Sequence, residues 1–253
     1  FADDIVLCEP SREEIQIKLE EWRKALEQRG LKISRSKTEY LACQTSVEGS
    51  IRLGEKELKS SQKFKYLGSV VQKDGDLLNE ILHRINCGWM NWRKLSGVLC
   101  DRNISCRMKG RLYKTVVRPA MMYGAETWAL RKEDERRLDV AEMKMLRWMC
   151  GVTRKDHVRN VFIRGSVKVG EVSRKIREGR LRWFGHVERR EDGYVGKRVQ
   201  NLQMGGKRRV GRPKFRWIDK VNEDLRETGW SRGEAEDRVG WRMRIRSMNS
   251  DPT

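Results

Sequence analysis

The stretch "DGDLLNEILHRINCGWMNWRKL" (Asp74–Leu95) decides the fold, because the spacing of apolar residues changes within it. Before this stretch, short runs of alternating apolar and polar residues predict strands. From Leu77 onward, apolar residues recur at helical spacing, so we expect an α+β fold whose strands precede a helical region. The pattern predicts helices over residues 77–98, 104–122, 133–150 and 168–190.

The N-terminal residues predict one helix among short strands. The segment "DIVLC" (residues 4–8) has the length and β-branched content of a buried strand. Ser11 and Glu14 form a capping-box pattern ahead of apolar residues at helical spacing, which predicts a helix over 11–29.

Further strands are predicted after this helix. Two short alternating runs lie within residues 31–43, and strand signals follow at 51–53 and 64–71. Turn signals follow each run, at Gly54-Glu55 and at Asp74-Gly75, so we predict a small meander or hairpin.

Composition points to a polyanionic partner. The 253 residues carry a formal charge of +20 and a pI near 10.0, which is typical of proteins that bind nucleic acid. The content of 38% hydrophobic residues, with nine Trp, suffices for a packed core and excludes a disordered basic tail. No apolar run reaches the length of a membrane span, so we expect no membrane partner.

The cysteines indicate a reducing compartment. Six Cys occur at irregular spacing without a CxxC pair, which favours free thiols and an intracellular location, cytoplasmic, nuclear or both. A zinc site built from Cys100, Cys106, Cys150 and His157 is a second interpretation.

The acidic pair Asp3 and Asp4 has two interpretations. An Asp-Asp pair is common in polar turns, because Asp hydrogen-bonds its own backbone. Alternatively, two adjacent carboxylates at a strand end can hold a divalent metal that neutralises their repulsion.

Several ordered motifs favour the metal interpretation. The segments "FADDIVL", "GLKISRSKTEYL" and "FKYLGSVVQKDGDLLNEILHRI" occur in this order, followed by "YGAETWAL", "RWFGHVERRED" and "GRPKFRWID". Together they resemble the C-terminal half of reverse transcriptases from non-LTR (LINE-type, RTE-like) retrotransposons, over almost the whole chain. The resemblance implies a partial palm at 1–75, a helical thumb at 76–150 and a basic helical extension at 151–253.

The resemblance also implies site residues. Asp3 and Asp4 would hold Mg²⁺ or Mn²⁺ for nucleotidyl transfer, and Lys37 would approach the triphosphate. For Lys37, a solvated lysine at a strand edge is an equally weighted interpretation. The primer-grip hairpin would comprise Phe64, Lys65, Tyr66, Leu67 and Gly68. An ordinary hairpin with Phe64, Tyr66 and Leu67 in the core is compatible with this role, and only its backbone would then touch nucleic acid.

Basic residues of the helical region would contact phosphates of an RNA template, a DNA primer or their duplex. A solvated helix face is the alternative for each, and we expect Trp89, Trp92, Trp128 and Trp148 to lie in the core. The basic residues expected to contact phosphates are Arg84, Arg93, Lys94, Arg107, Lys109, Arg111, Lys114, Arg180, Arg182 and Arg212.

No oligomeric state is predicted.

Two further residues have competing interpretations. Arg212 lies in a "GRP" sequence like the core of minor-groove-binding hooks, although Pro213 at the first turn of a helix over 213–228 explains it better. His186 is interpreted as a packing or capping histidine, because no nucleophile accompanies it.

The resemblance leaves the activity of this chain open. We expect it to lack the upstream metal-binding Asp of the parent RNA-directed DNA polymerase and to be inactive alone. A non-catalytic RNA- or DNA-binding remnant is the alternative, and a basic scaffold that binds protein is a third hypothesis.

Overall fold

The computed structural model of the chain describes residues 4–42, 49–201 and 216–248. Short strands near the N-terminus and helices thereafter confirm the predicted α+β fold class. The chain divides into two compact units, Phe1–Glu80 and Ile81–Thr253, which we call the N-terminal unit and the helical unit.

The described residues of the N-terminal unit form one long helix and three two-stranded sheets. Strands β1 and β4 pair in parallel, whereas β2 with β3 and β5 with β6 form antiparallel pairs. The elements are α1 (Arg12–Glu27), β1 (Glu39–Tyr40), β2 (Arg52–Leu53), β3 (Lys56–Glu57), β4 (Lys59–Ser60), β5 (Lys63–Tyr66) and β6 (Ser69–Gln72).

Helix α1 forms as predicted. The Ser11 side chain caps it by accepting a hydrogen bond from the Glu14 N–H at 3.1 Å. Leu19 is buried with Ile51 and Leu53, so the apolar stripe of α1 covers the small core of this unit.

Two predicted strands are wrong. Residues 4–8 are irregular, with Ile5 and Val6 exposed, because a strand exists only where a neighbouring backbone completes its hydrogen bonds. Of the runs predicted within residues 31–43, only β1 forms. The Thr38 amide and hydroxyl both bind the Ser34 carbonyl, which closes a turn instead of extending the chain.

The helical unit consists of helices joined by short loops. Helix α2 begins at Leu78 and continues into this unit, and the predicted helix over 168–190 forms as α8, from Val172 to Glu188. Position 213, where a further helix was predicted to begin, lies outside the described residues. The elements are α2 (Leu78–Lys94), α3 (Ser96–Leu99), α4 (Cys106–Leu112), a π-helical segment (Tyr113–Val117), α5 (Arg118–Met122), a 3₁₀ turn (Ala125–Thr127), α6 (Lys132–Met149), α7 (Asn160–Val167), α8 (Val172–Glu188), α9 (Val195–Gln200), α10 (Trp217–Thr228), a 3₁₀ turn (Arg232–Ala235) and α11 (Arg238–Ser247).

A buried carboxylate, Glu142 of α6, joins the first part of this unit. Its Oε1 accepts hydrogen bonds from the Tyr113 hydroxyl at 3.0 Å and from Arg118 Nη2 at 2.7 Å. Its Oε2 accepts from Arg164 Nη1 at 2.6 Å and from the Val172 N–H at 3.0 Å. One side chain of α6 therefore connects the π-helical segment, α5, α7 and α8.

A second buried ion pair supports the C-terminal helices. Arg180 Nε lies 2.6 Å from Asp224 Oδ2, and both side chains are fully buried. Beside them, the Trp241 indole N–H donates to the Leu181 carbonyl at 2.9 Å, within an apolar cluster that includes Phe184. Helices α8, α10 and α11 are thereby held together.

Helices from both sides of residue 150 pack against each other, since α6 contacts α7 and α8. The predicted division of the helical region into domains at 76–150 and 151–253 stays a prediction.

Removing the charge of Glu142 should destabilise the helical unit strongly. Glu142→Gln leaves the buried Arg118 guanidinium without a counter-charge among the described residues, and it leaves Arg164 with the more distant Asp139 at 3.8 Å, which together should cost about 3–5 kcal/mol. Urea unfolding followed by circular dichroism would measure this loss. The matched control, Glu133→Gln, removes an exposed ion-pair carboxylate from the same helix and should cost less than about 1 kcal/mol. Equal losses for both variants would contradict the central role of Glu142.

Two glycine substitutions should act in opposite directions. A Cβ at Gly110 would lie 1.8 Å from the Val167 carbonyl oxygen, so Gly110→Ala forces α4 and α7 apart and should cost about 2 kcal/mol or more. Gly179 in α8 has open space around it, and Gly179→Ala should stabilise the protein by roughly 0.5–1 kcal/mol. Thermal unfolding of both variants would test this contact. A melting temperature of Gly110→Ala equal to that of the native chain would refute it.

Candidate nucleic-acid interface

Two of the three predicted catalytic residues are described, and both lie in exposed, irregular parts of the N-terminal unit. Asp4 precedes α1 and Lys37 sits in the turn before β1, both exposed, while Asp3 lies outside the described residues. Within residues 4–42, 49–201 and 216–248, no three His, Cys, Asp or Glu side chains come together as a metal site. Because Asp3 is not among the residues searched, the Mg²⁺ or Mn²⁺ site stays a prediction.

The alternative zinc site is not formed. Cys100, Cys106, Cys150 and His157 are all described, and no three of them converge. Burial and the neighbouring Cys106 thiol raise the pKa of Cys150 to about 11, so this side chain is a neutral thiol at neutral pH.

The predicted primer-grip segment forms the hairpin β5–β6. Its turn residues, Leu67 and Gly68, have φ of 47° and 84°, which is the type I′ geometry that matches the twist of a hairpin. Lys63 and Lys65 face solvent on one side of β5, whereas Phe64 is half-buried on the other. The hairpin is confirmed, and its role as a primer grip stays a prediction.

A side chain at Leu67 strains this turn. A left-handed backbone costs a residue with a Cβ roughly 1–2 kcal/mol, and the Leu67 side chain is 40% exposed. Leu67→Asn, which tolerates this conformation, should therefore stabilise the hairpin by about 1 kcal/mol and slow amide hydrogen exchange in β5 and β6 roughly fivefold. Val71→Asn, at an ordinary strand position, is the control and should speed exchange. Faster exchange in Leu67→Asn would show that Leu packing outweighs the strain.

Three of the predicted phosphate-binding residues form one exposed row. Arg107, Arg111 and Lys114 follow each other at spacings of four and three along α4 and the π-helical segment, so they share a face. All three are exposed, and none pairs with a carboxylate among the described residues. We call this row the α4 stripe.

The opposite face of α4 fixes the stripe in place. Lys109 is buried and donates from Nζ to the Met149 carbonyl at 2.9 Å, and Gly110 lies against α7. Tyr113 is buried on Glu142. The stripe is therefore presented by a helix that cannot rotate without losing buried contacts.

The π-helical segment determines where the stripe ends. In a continuous α-helix, Arg118 would lie on the same face as Lys114, one turn further on. The wider π turn over residues 113–117 shifts this register, and Arg118 enters the interior to bind Glu142.

Three other predicted contact residues are buried by the fold. The Arg84 guanidinium lies 4.5 Å from the ring centroid of Tyr123, Lys109 binds a backbone carbonyl, and Arg180 pairs with Asp224. Their charges are engaged inside the protein, so we leave them out of the proposed interface. Their sequence context does not differ from that of the exposed cations.

The remaining predicted phosphate-binding residues differ in their ion pairing. Arg93 and Lys94 are exposed at the end of α2. Arg182 is exposed and pairs with Glu178, while Arg212 lies outside the described residues.

The tryptophans divide between core and surface. Trp92 and Trp128 are buried as predicted, and Trp89 is half-buried. The prediction for Trp148 is wrong: it is 66% exposed, because it meets the protein through an edge contact with Trp92 at 6.1 Å.

A second cluster of cations, Arg189, Arg190 and Arg238, lies near His186. It includes residues that were not predicted from the sequence. The His186 ring stacks on the Trp183 ring with centroids 5.2 Å apart, which confirms it as a packing histidine. The Arg190 guanidinium lies 5.5 Å from the ring centroid of Tyr194. Burial, and then nearby arginines, lower the pKa of His186. The sequence motif "RWFGHVERR" marks the α8 part, but nothing local indicates Tyr194.

Arg238 of α11 completes this cluster. It lies close enough to Arg189 to lower that guanidinium's pKa, after the larger effect of burial. Like charges held together in this way favour an anionic partner. Arg242 and Arg246 continue along α11 as exposed cations.

Among the described residues, no helix combines the length and the apolar character that crossing a membrane requires.

Comparison with known proteins connects the chain to mobile elements. No protein-family model matches the chain, and no solved structure matches it. It is 26% identical over 263 aligned residues to a Caenorhabditis elegans protein described as transposon-derived. The match covers 97% of this chain and 94% of that protein, so the similarity extends along both chains.

Proposed function

We propose that the chain derives from the reverse transcriptase of a non-LTR retrotransposon and that its helical unit binds nucleic acid through the α4 stripe. The order of the polymerase-like motifs and the similarity to a transposon-derived protein support the origin. The formal charge of +20 supports a polyanionic partner.

The α4 stripe is the observation on which the binding proposal depends. Arg107 and Lys114 are seven residues apart, which is about 10 Å along a helix. Phosphates of one strand follow each other at about 3.4 Å along a duplex axis, so the stripe matches the length of roughly three phosphates. Three exposed cations without a carboxylate partner among the described residues are free to take such a row.

Binding of this kind does not depend on base sequence. Arg and Lys contacts to phosphate position a protein on a duplex but do not distinguish its bases. This suits a protein that holds an RNA template paired with a DNA primer, which is the substrate of the parent reaction. An intracellular location, in the cytoplasm or nucleus, follows from that substrate.

The same binding would serve a polymerase or a non-catalytic remnant. In the parent enzyme, Mg²⁺ supplies the activation of the primer hydroxyl and the neutralisation of phosphate charge. We assign no catalytic step to the described residues, because they do not assemble a metal site. The proposal for this chain is therefore restricted to nucleic-acid binding.

Truncating the stripe should weaken binding and reduce its salt dependence. In the triple variant Arg107→Ala, Arg111→Ala, Lys114→Ala, three phosphate contacts are lost. The slope of log affinity against log salt concentration should fall in magnitude by about 2–3, and affinity near 0.1 M salt should fall roughly tenfold or more. Fluorescence anisotropy with a labelled RNA–DNA duplex, measured across a salt series, would determine both quantities.

A control variant removes the same charge elsewhere. Lys32, Lys56 and Lys59 are exposed in the N-terminal unit and do not form one helical row. Their triple Ala variant has the same net charge as the stripe variant and should bind the duplex with a nearly unchanged slope. If both variants lose affinity equally, net charge and not the stripe governs binding, and the proposal fails.

A further inference from the structure

An open groove of about 450 Å³ lies between α2 and α6, within the helical unit. Helix α2 contributes apolar residues, and α6 contributes apolar residues together with charged ones. The lining residues are Leu82, Ile85 and Trp89 of α2, and Glu133, Arg136, Arg137, Val140, Ala141 and Lys144 of α6.

The groove is mainly apolar along its length. Leu82 and Val140, on opposite walls, leave 45% and 46% of their surface exposed. Leu82, Ile85 and Trp89 follow the spacing of one helix face, and Ala141 adds a small side chain that permits close approach. Adjacent apolar side chains left open to solvent mark an interaction surface.

Cations border this apolar surface. Arg136 and Lys144 are exposed and form no ion pair with any carboxylate that the structure describes. Arg137 is held by Glu133 at 2.5 Å and by Asp134 at 3.3 Å. The border therefore has uncompensated positive charge at two points, eight residues apart.

The dimensions of the groove fit a short helix. From Glu133 to Lys144, α6 advances eleven residues, or about 16 Å, which equals three helical turns. A groove whose two walls carry apolar side chains is the kind of surface into which an amphipathic helix places its apolar face.

We propose that this groove binds an acidic amphipathic helix of a partner protein. The apolar face of such a helix would pack between Leu82 and Val140, and its flanking carboxylates would meet Arg136 and Lys144. A nucleic acid fits less well, because phosphates gain nothing from an apolar floor. The Trp89 ring contacts the Trp92 ring edge-on, with centroids 5.6 Å apart, so Trp89 is packed against another ring.

This surface is separate from the α4 stripe and uses none of its residues. The inference therefore does not depend on the proposed nucleic-acid binding, and the two can fail independently.

The test uses the full chain and a synthetic helical peptide of 16 residues. The fluorescein-labelled probe has Leu on one face and Glu on both flanks, and a scrambled peptide of the same composition accompanies it. Anisotropy should show binding of the amphipathic probe at least tenfold tighter than binding of the scrambled one. Val140→Asp and the pair Arg136→Glu, Lys144→Glu should each weaken probe binding at least tenfold.

A matched control and a charge swap sharpen the result. The pair Arg111→Glu, Lys114→Glu makes the same charge change on the α4 stripe and should leave peptide affinity within twofold. A probe whose Glu residues are replaced by Lys should bind the Arg136→Glu, Lys144→Glu variant more tightly than it binds the native chain.

Two outcomes would overturn the inference. Equal affinity for the amphipathic and scrambled peptides would show that only charge is recognised. A groove for nucleic acid would be shown if a single-stranded oligonucleotide displaced the probe from the native chain and Val140→Asp abolished oligonucleotide binding. Circular dichroism of each variant checks that the fold is retained.

Discussion

The helical unit depends on the buried carboxylate of Glu142 and the groups that neutralise it. A lone buried carboxylate would be very costly, and here two guanidinium groups, a tyrosine hydroxyl and a backbone N–H complete its surroundings. Because these donors come from four other segments, the burial of one charge fixes their relative rotation. Tyr113 must face inward, and α4 therefore presents Arg107 and Lys114 outward.

Charge in this protein thus has two distinct uses. The formal charge of +20 counts every cation alike, yet Arg118 and Arg180 are consumed by buried ion pairs and Lys109 by a backbone carbonyl. Replacing such a residue would unfold the protein before it revealed anything about binding. The cations available to a polyanion are those that are exposed and lack a carboxylate partner among the described residues, and the α4 stripe consists of such cations.

Sequence reasoning succeeded where the signal is local. Helix α1 follows from the Ser11 cap and its apolar stripe, and the β5–β6 hairpin follows from alternation around a glycine turn. It failed where a distant partner decides: residues 4–8 have strand composition but no ladder, and Trp148 is exposed despite its size. The candidate interface shows the same limit. The row from Arg107 to Lys114 can be predicted from the spacing of the sequence. The departure of Arg118 from that row and the groove between α2 and α6 cannot be predicted in this way, because they result from packing.

Helix α6 connects the core with the proposed docking groove. Residues two positions apart on a helix point in nearly opposite directions, about 200° apart. Glu142 therefore faces the interior while Val140 and Lys144 line the groove on the other side. The buried contacts of Glu142 hold α6 in this rotation, so the α6 wall of the groove is set before any partner arrives. Such preorganisation reduces the entropic cost of binding, which allows a groove only three turns long to serve as a specific docking site.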